Sequence, residues 1–169
     1  MNPLLTLPRT SDFSELARRW QSYLHYIQSI RSRLPATLAD VADASWRYDM
    51  ADHRCFHDAI ATTTSISWSL DENNDPRADF WIELLGGYDD FKIQLTYIHV
   101  TSLETPFPSS RELEWSVDEF GLQGEYLVHR IRWANDQVWT IVFGGFQFEI
   151  EPISEDEAHR MLRREAPPS

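Results

Sequence analysis

The stretch Glu125–Pro152, EYLVHRIRWANDQVWTIVFGGFQFEIEP, decides the fold of this 169-residue chain. It contains two pairs of turn residues, Asn135-Asp136 and Gly144-Gly145, which tolerate the positive φ that a two-residue hairpin turn requires. From 146 to 151 apolar side chains alternate with charged or amide side chains. Because successive strand residues point to opposite faces, the stretch predicts three antiparallel strands joined by two tight turns, with one face of the sheet buried.

Three further strands are predicted earlier in the chain, over residues 59–70, 80–85 and 91–100. The first of these segments is rich in threonine, serine and isoleucine, and β-branched residues fit a pleated surface better than a helix. Residues 110–120 are interpreted as a short helix or an irregular crossing segment. The sheet is therefore expected to occupy residues 59–151.

Amphipathic helices are predicted on both sides of the sheet. Residues 12–34 place apolar side chains at spacings of three and four, and residues 154–164 begin with Ser154 and Glu157 in the spacing of a capping box. The predicted fold is α+β. It is a single domain over residues 1–169, with a largely antiparallel sheet of about six strands, a long N-terminal helix packed on the sheet and a short C-terminal helix.

Composition argues against several classes of protein. No run of about 18 apolar residues occurs, so no membrane span is expected, and the first residues lack the pattern of a secretory signal. A single cysteine, Cys55, excludes an intramolecular disulfide and agrees with a reducing compartment. The net charge of −12 repels phosphate backbones, so nucleic-acid binding is not expected. The expected location is the cytoplasm.

The same negative charge favours a basic protein partner, although it could serve solubility alone. Acidic pairs at Asp89, Asp90 and at Asp118, Glu119 are the candidate contacts with that partner. No coherent set of catalytic residues appears, and no cofactor is expected. The leading hypothesis is a non-catalytic interaction protein.

The rival hypothesis, an enzyme or a metal-binding protein, rests on the stretch Asp49–Asp58, which contains three aspartates, two histidines and the cysteine. On a helix His53 and His57 would be four residues apart and share one face, as zinc-binding pairs do, with Asp49 or Asp52 as a third ligand. The candidate metal or catalytic residues are His53, His57 and Asp58. The competing interpretation is that His57 and Asp58 form hydrogen bonds that fix the entry to the first strand. A further alternative is a small-ligand-binding domain with a cleft between helix and sheet.

The step Phe56-His57-Asp58-Ala59 before a threonine- and serine-rich strand, together with the meander over 125–151, resembles small uncharacterised bacterial proteins. Some sequences similar to these occur among the immunity proteins that neutralise toxins of polymorphic toxin systems. The resemblance extends loosely over residues 46–151. It implies a non-catalytic bacterial protein whose acidic surface blocks a toxin.

Overall fold

The computed structural model describes residues 12–70, 72–105 and 113–163. Within these ranges lie three α-helices, α1 Phe13–Ile30, α2 Ala36–Ala42 and α3 Glu155–Leu162. The strands in the same ranges are β1 Ile60–Leu70, β2 Pro76–Leu85, β3 Phe91–Glu104, β4 Trp115–Gln123, β5 Tyr126–Trp133 and β6 Val138–Pro152.

The strands form one antiparallel sheet in the order β1-β2-β3-β6-β5-β4. β6 is long enough to pair with β5 over its first half and with β3 over nearly its whole length. The beginning of β1 also meets the residues that lead into β4, because Ile60 forms a bridge with Glu114 and Ala61 N donates to Leu113 O at 2.9 Å. The sheet therefore curls until its two outer strands touch at one point.

Helices close the inner face of the curled sheet. Asp12 caps α1 by accepting from Ser14 N at 2.9 Å, and α1 buries Tyr23, Ile27 and Ile30 in the same cluster as α2 and the inner side chains of the strands. On the outer face, α3 packs separately against Leu85. The outer strand face also buries Val128 and Val142, which are paired across β5 and β6. The main core lies between the sheet, α1 and α2.

The predicted fold class is confirmed: the chain is α+β, with six antiparallel strands in one sheet and a helix near each end. The predicted helix over 12–34 consists of α1 and a 3-10 turn at Arg31–Arg33, with Asp12 as its cap. In the C-terminal helix Ser154 accepts from Glu157 N, as the capping pattern indicates.

Two strand assignments are wrong. One predicted strand is absent and one unpredicted strand is present, so the total of six strands still agrees with the prediction. Gly144 and Gly145 form no turn, because β6 runs through both and pairs there with β3. A Cβ on Gly145 would lie 3.4 Å from the Cβ of its partner Ile98, which is ordinary van der Waals contact. The strand lost by this change is replaced by β4, which lies in the segment interpreted as a helix or crossing.

Among the described residues, no helix combines the length and the apolar character needed to cross a membrane.

Candidate functional site

Charge is concentrated at the end of the sheet where β2 turns into β3 and where β6 continues into α3. The three chain segments that meet there, called the acidic end, are residues 49–58, 86–92 and 149–160. Tyr88 Oη donates to Met50 O at 2.7 Å, which joins the β2–β3 turn to the first segment. Ile153 N donates to Asp90 O at 2.9 Å, which joins the turn to the third segment.

The β2–β3 turn and the 49–58 segment pack as one unit. The ring of His53 stacks on Tyr88, with 4.0 Å between ring centroids and 7° between ring planes. His53 Nδ1 also lies 2.5 Å from Asp90 Oδ2. A Cβ on Gly87 would lie 3.0 Å from His57 O, so glycine favours this close approach. The surface carboxylates of both segments are therefore held in a fixed arrangement.

Acidic residues outnumber basic residues more than threefold at the acidic end. Three basic side chains lie in these segments, Arg54, Lys92 and Arg160. The ten carboxylates are those of Asp49, Asp52, Asp58, Asp89, Asp90, Glu149, Glu151, Glu155, Asp156 and Glu157. All ten residues are exposed or half-buried. The segments thus hold more than half of the net charge of −12 of the whole chain.

Two of the three basic side chains are engaged inside the acidic end. Arg54 Nη2 lies 2.6 Å from Asp52 Oδ2, and the hydrogen bonds from Arg54 lower the pKa of Asp52 to about 2. Lys92 forms ion pairs with Glu151 and with Glu157, and its hydrogen bond to Glu151 raises the pKa of Lys92. These pairs compensate only part of the charge, so a strong negative potential remains at this end.

Asp58 and Asp89 occupy the left-handed region of backbone space, with φ of 65° and 58°. Aspartate and asparagine adopt this conformation more readily than other residues that have a side chain. Asp58 Oδ1 lies 2.7 Å from His57 Nδ1, while the carboxylate of Asp89 lies on the exposed turn. Both positions accept asparagine without a change of backbone, which allows their charges to be removed selectively.

The structure separates the four acidic residues that the sequence proposed as partner contacts. Asp89 and Asp90 lie at the acidic end, exposed and half-buried respectively. Asp118 and Glu119 lie in β4 and are 1 % and 0 % exposed, so neither offers a surface carboxylate. Glu119 Oε1 lies 3.8 Å from Arg130 Nη1 of the neighbouring strand. Their expected solvation is wrong, because the segment is a strand with both faces covered.

Asp118 instead forms the centre of a buried polar network. Arg47 Nη2 makes an ion pair with Asp118 Oδ2, and Trp115 Nε1 donates to Oδ1 at 3.2 Å. His129 Nε2 lies 2.7 Å from Oδ2, and its other ring nitrogen lies 2.7 Å from Tyr97 Oη. These five residues, contributed by β3, β4, β5 and the segment after α2, are called the buried network.

The protonation states in the buried network follow from burial and charge. Burial would raise the pKa of Asp118, but Arg47 and the bond from His129 outweigh it and hold that pKa below its usual value. Burial lowers the pKa of His129, which favours the neutral ring, and raises that of Tyr97. A neutral ring with its hydrogen on Nε2 donates to Asp118 and accepts from Tyr97 Oη. Every polar contact of His129 is then satisfied.

The side chain of Arg47 also caps the carboxyl end of helix α2. Its Nη1 donates to Val41 O at 3.0 Å and to Ala42 O at 2.9 Å, at the carboxyl end of the helix, where a positive charge is favourable. Cys55 Sγ donates to Arg47 O at 3.0 Å, and burial raises the pKa of this thiol. The environment therefore keeps Cys55 protonated, unlike a nucleophilic thiolate.

The buried network resembles an acid–base set in its bonding but not in its access. His129 and Tyr97 are 0 % exposed, and Arg47 and Asp118 are 1 % exposed. A cleft of about 140 Å³ borders Arg47 and Asp118, yet neither His129 nor Tyr97 lines it. General acid–base chemistry needs a group within hydrogen-bond reach of the substrate. The geometry instead fits a polar core that joins α2 to three strands.

The proposed metal ligands His53, His57 and Asp58 do not converge. His53 Nδ1 is paired with Asp90, whereas His57 Nδ1 is paired with Asp58. In the part of the chain that the structure describes, no three histidine, cysteine, aspartate or glutamate side chains are placed to hold a metal ion. The contact between His57 and Asp58 corresponds to the hydrogen-bonded strand entry that the sequence offered as the competing interpretation.

Sequence reasoning missed most of the important polar residues. Arg47 carried no local signal, because its partner Asp118 lies 71 residues further along the chain. His129 did carry a signal, since the predicted strand places it between the apolar residues Leu127 and Ile131 on one face. Five of the ten carboxylates of the acidic end come from 149–160, and only the folded chain brings them beside Asp89 and Asp90.

Comparison with known proteins gave no relative: no family model, curated protein or solved structure matches this chain. The resemblance to bacterial immunity proteins therefore stays a prediction.

Proposed function

We propose that this protein is a non-catalytic bacterial interaction protein that binds a basic partner protein through the acidic end. The partner would be a toxin, and the chain would act inside the cell as its immunity protein. The observation that carries the proposal is the excess of surface carboxylates over basic residues in three segments that pack together.

The geometry of the acidic end supports a role in recognition. Fixed carboxylates bind a basic surface with less loss of side-chain entropy than carboxylates on a mobile tail. Complementary charge speeds association and discriminates against partners of the wrong sign. The stacked rings of His53 and Tyr88 add an aromatic surface among the carboxylates, and Tyr88 is 51 % exposed. Aromatic residues of this kind often anchor protein interfaces.

The buried network supports the non-catalytic part of the proposal. Its titratable groups are 0 or 1 % exposed, and although a cleft borders Arg47 and Asp118, neither His129 nor Tyr97 lines it. Such groups mark candidate active sites only when they line an open cleft. Here they stabilise the scaffold that carries the acidic end.

The test uses two double variants with the same change of charge. Asp58→Asn/Asp89→Asn removes two carboxylates from the acidic end. Glu72→Gln/Asp75→Asn removes two exposed carboxylates from the turn between β1 and β2, at the end of these two strands that is far from the acidic end. Each immobilised protein is incubated with lysate of the producing cells at low and at high salt, and the retained proteins are identified by mass spectrometry. The captured partner is then purified and titrated against each variant.

We expect a basic protein on the wild type and on the β1–β2 turn variant at low salt, released as salt screens the charges. The acidic-end variant should bind it about tenfold more weakly, which corresponds to about 1.4 kcal/mol. Expressed alone, that partner should stop growth, and co-expression of the wild type should restore it. Equal binding of the partner by both variants would contradict the role of the acidic end. A partner that is not toxic would contradict the role as an immunity protein.

A further inference from the structure

The outer strand β4 is bonded to tyrosine hydroxyl groups on the side away from β5. Phe120 N donates to Tyr23 Oη at 3.1 Å, and Leu122 N donates to Tyr26 Oη at 3.0 Å. The two strand residues are two positions apart, as backbone groups directed to the same side of a strand are. Both hydroxyl groups therefore occupy positions where a neighbouring strand would place its carbonyl oxygens.

The spacing of the two tyrosines in α1 suits this arrangement. Tyr23 and Tyr26 lie three residues apart, so their side chains leave the helix on one face. Their Cβ atoms are then about 5 to 6 Å apart, and amides on one side of a strand repeat about every 6.8 Å. Both hydroxyl groups can therefore reach successive amides, and α1 stands where a further strand would pair with β4.

A third hydroxyl group extends the same contact. Tyr48 Oη donates to Asp118 O at 3.2 Å. The ring of Trp20, in α1, packs edge-on against the ring of Tyr48, with 4.0 Å between ring centroids. Residues 118, 120 and 122 of β4 are thus each bonded to a tyrosine. The hydroxyl groups of Tyr23, Tyr26 and Tyr48 are called the edge cover.

Tyr23 does more than fill space in the core. It is 0 % exposed, and its hydroxyl group also donates to Ala42 O, in α2, at 3.0 Å. Burial raises the pKa of Tyr23 to about 12, so the hydroxyl keeps the hydrogen that it donates. Phenylalanine would supply the same ring but would leave two backbone groups without this partner. The hydroxyl groups thus fix where α1 meets the strand, beyond what apolar packing requires.

Outer strands pair readily with strands of other chains unless a helix, a loop or charged residues cover them. We propose that α1 is an autoinhibitory cover of β4: the hydroxyl groups of Tyr23 and Tyr26 keep the strand closed, and β4 pairs with a strand of another chain once α1 leaves it. Ile27 and Ile30 anchor the cover, because both are buried in the core cluster that also contains Phe120. The acidic end is formed by other segments, so this proposal is independent of the proposed function.

The test compares two double variants that each remove two tyrosine hydroxyl groups. Tyr23→Phe/Tyr26→Phe opens the edge cover, whereas Tyr88→Phe/Tyr97→Phe removes hydroxyl groups that are bonded elsewhere in the fold. The control is matched, because each pair contains one fully buried tyrosine and one that is partly exposed. Amide hydrogen exchange is measured by NMR for the wild type and for both variants.

Opening of the cover is measured at the amides of Phe120 and Leu122. Loss of the acceptor should speed their exchange about tenfold or more relative to the amide of Ile82, which lies in a strand paired on both sides. The control should leave this ratio unchanged. If the double variant does not fold, Tyr26→Phe should speed exchange at Leu122 more than at Phe120. Unchanged ratios in a folded variant would overturn the proposal.

Pairing of the uncovered strand is measured by sedimentation equilibrium at about 100 µM protein. Salt at about 1 M screens the net charge of −12. We expect Tyr23→Phe/Tyr26→Phe above the chain mass of 19.8 kDa, with the wild type and the control at that mass. Exchange within 118–122 of the variant should slow again as concentration rises. A variant that associates no more than the control, or that associates without slower exchange in β4, would overturn the covering role.

Discussion

Two of the aspartate–histidine pairs, Asp118–His129 and Asp90–His53, have similar geometry and opposite consequences. In the buried network Asp118 lies 2.7 Å from His129, with side-chain exposures of 2 % and 0 %. At the acidic end Asp90 lies 2.5 Å from His53, with exposures of 40 % and 52 %. The comparison teaches that the contact alone does not define the role of such a pair, because the surrounding solvent determines its energy.

Because the Asp118–His129 pair is buried, the fold depends on it for stability. The Asp90–His53 pair is exposed, and the fold can lose it at little cost in stability. Removing Asp118 also breaks its buried ion pair with Arg47 and leaves a desolvated guanidinium, whose charge the interior cannot neutralise. An exposed partner is replaced by water at little cost. The buried network should therefore dominate stability, and the acidic end should dominate recognition.

The largest expected difference comes from replacing the aspartate of each pair. Asp118→Ala leaves Arg47 buried without its carboxylate, and we expect a loss of about 3 to 5 kcal/mol in the free energy of unfolding. Asp90→Ala should cost less than about 1 kcal/mol, because its partner His53 is half exposed. Urea unfolding followed by tryptophan fluorescence measures both values.

The control replaces both charges of the buried ion pair. Arg47→Met/Asp118→Leu removes the uncompensated guanidinium, so it should recover part of the stability that Asp118→Ala loses. If the two aspartate variants lose similar stability, burial is not the difference between the pairs.

The sequence predicted what depends on neighbours along the chain. Both terminal helices follow from capping residues and apolar spacing at Asp12 and Ser154, and the strands from 59 to 100 follow from composition and alternation. The error at Gly144-Gly145 arose because glycine occurs both in turns and within strands, and only the pairing with β3 distinguishes the two.

The site was less predictable because its residues meet through long-range contacts. Asp118 and Glu119 were assigned to the surface by residue type, since isolated acidic residues are mostly solvated. Their burial depends on partners far away in sequence, such as Arg47 for Asp118. Asp89 and Asp90 do lie between the predicted strands 80–85 and 91–100, but the neighbouring carboxylates of 149–160 come from β6 and α3.

The next effect is a dependence of stability on pH that belongs to the buried histidine. Burial lowers the pKa of His129 in the folded state, whereas an unfolded histidine titrates near 6.5. Below about pH 6.5 this histidine binds a proton in the unfolded chain but stays neutral in the folded chain. Stability should therefore fall as pH decreases, by up to about 1.4 kcal/mol per pH unit, and stay level in this respect above that pH.

Urea unfolding of the wild type, His129→Gln and His53→Gln measures this dependence of stability on pH. The range from about pH 5 to pH 8 brackets the pKa of about 6.5 of an unfolded histidine. The slope below about pH 6.5 should diminish in His129→Gln and persist in His53→Gln. A slope that survives in His129→Gln would assign the acid sensitivity to another group.

The smallest effect on stability is expected at the acidic end. Asp58→Asn/Asp89→Asn removes two carboxylates from a crowded negative surface, and asparagine suits the left-handed backbone at both positions. We expect a change within about 0.5 kcal/mol, in the stabilising direction at low salt. Added salt should stabilise the wild type more than the variant, because screening relieves repulsion that the variant has partly lost. Urea midpoints at two salt concentrations measure this difference. A loss above about 1 kcal/mol would mean that these carboxylates stabilise the fold as Asp118 does, and the separation between a structural core and a recognition surface would fail.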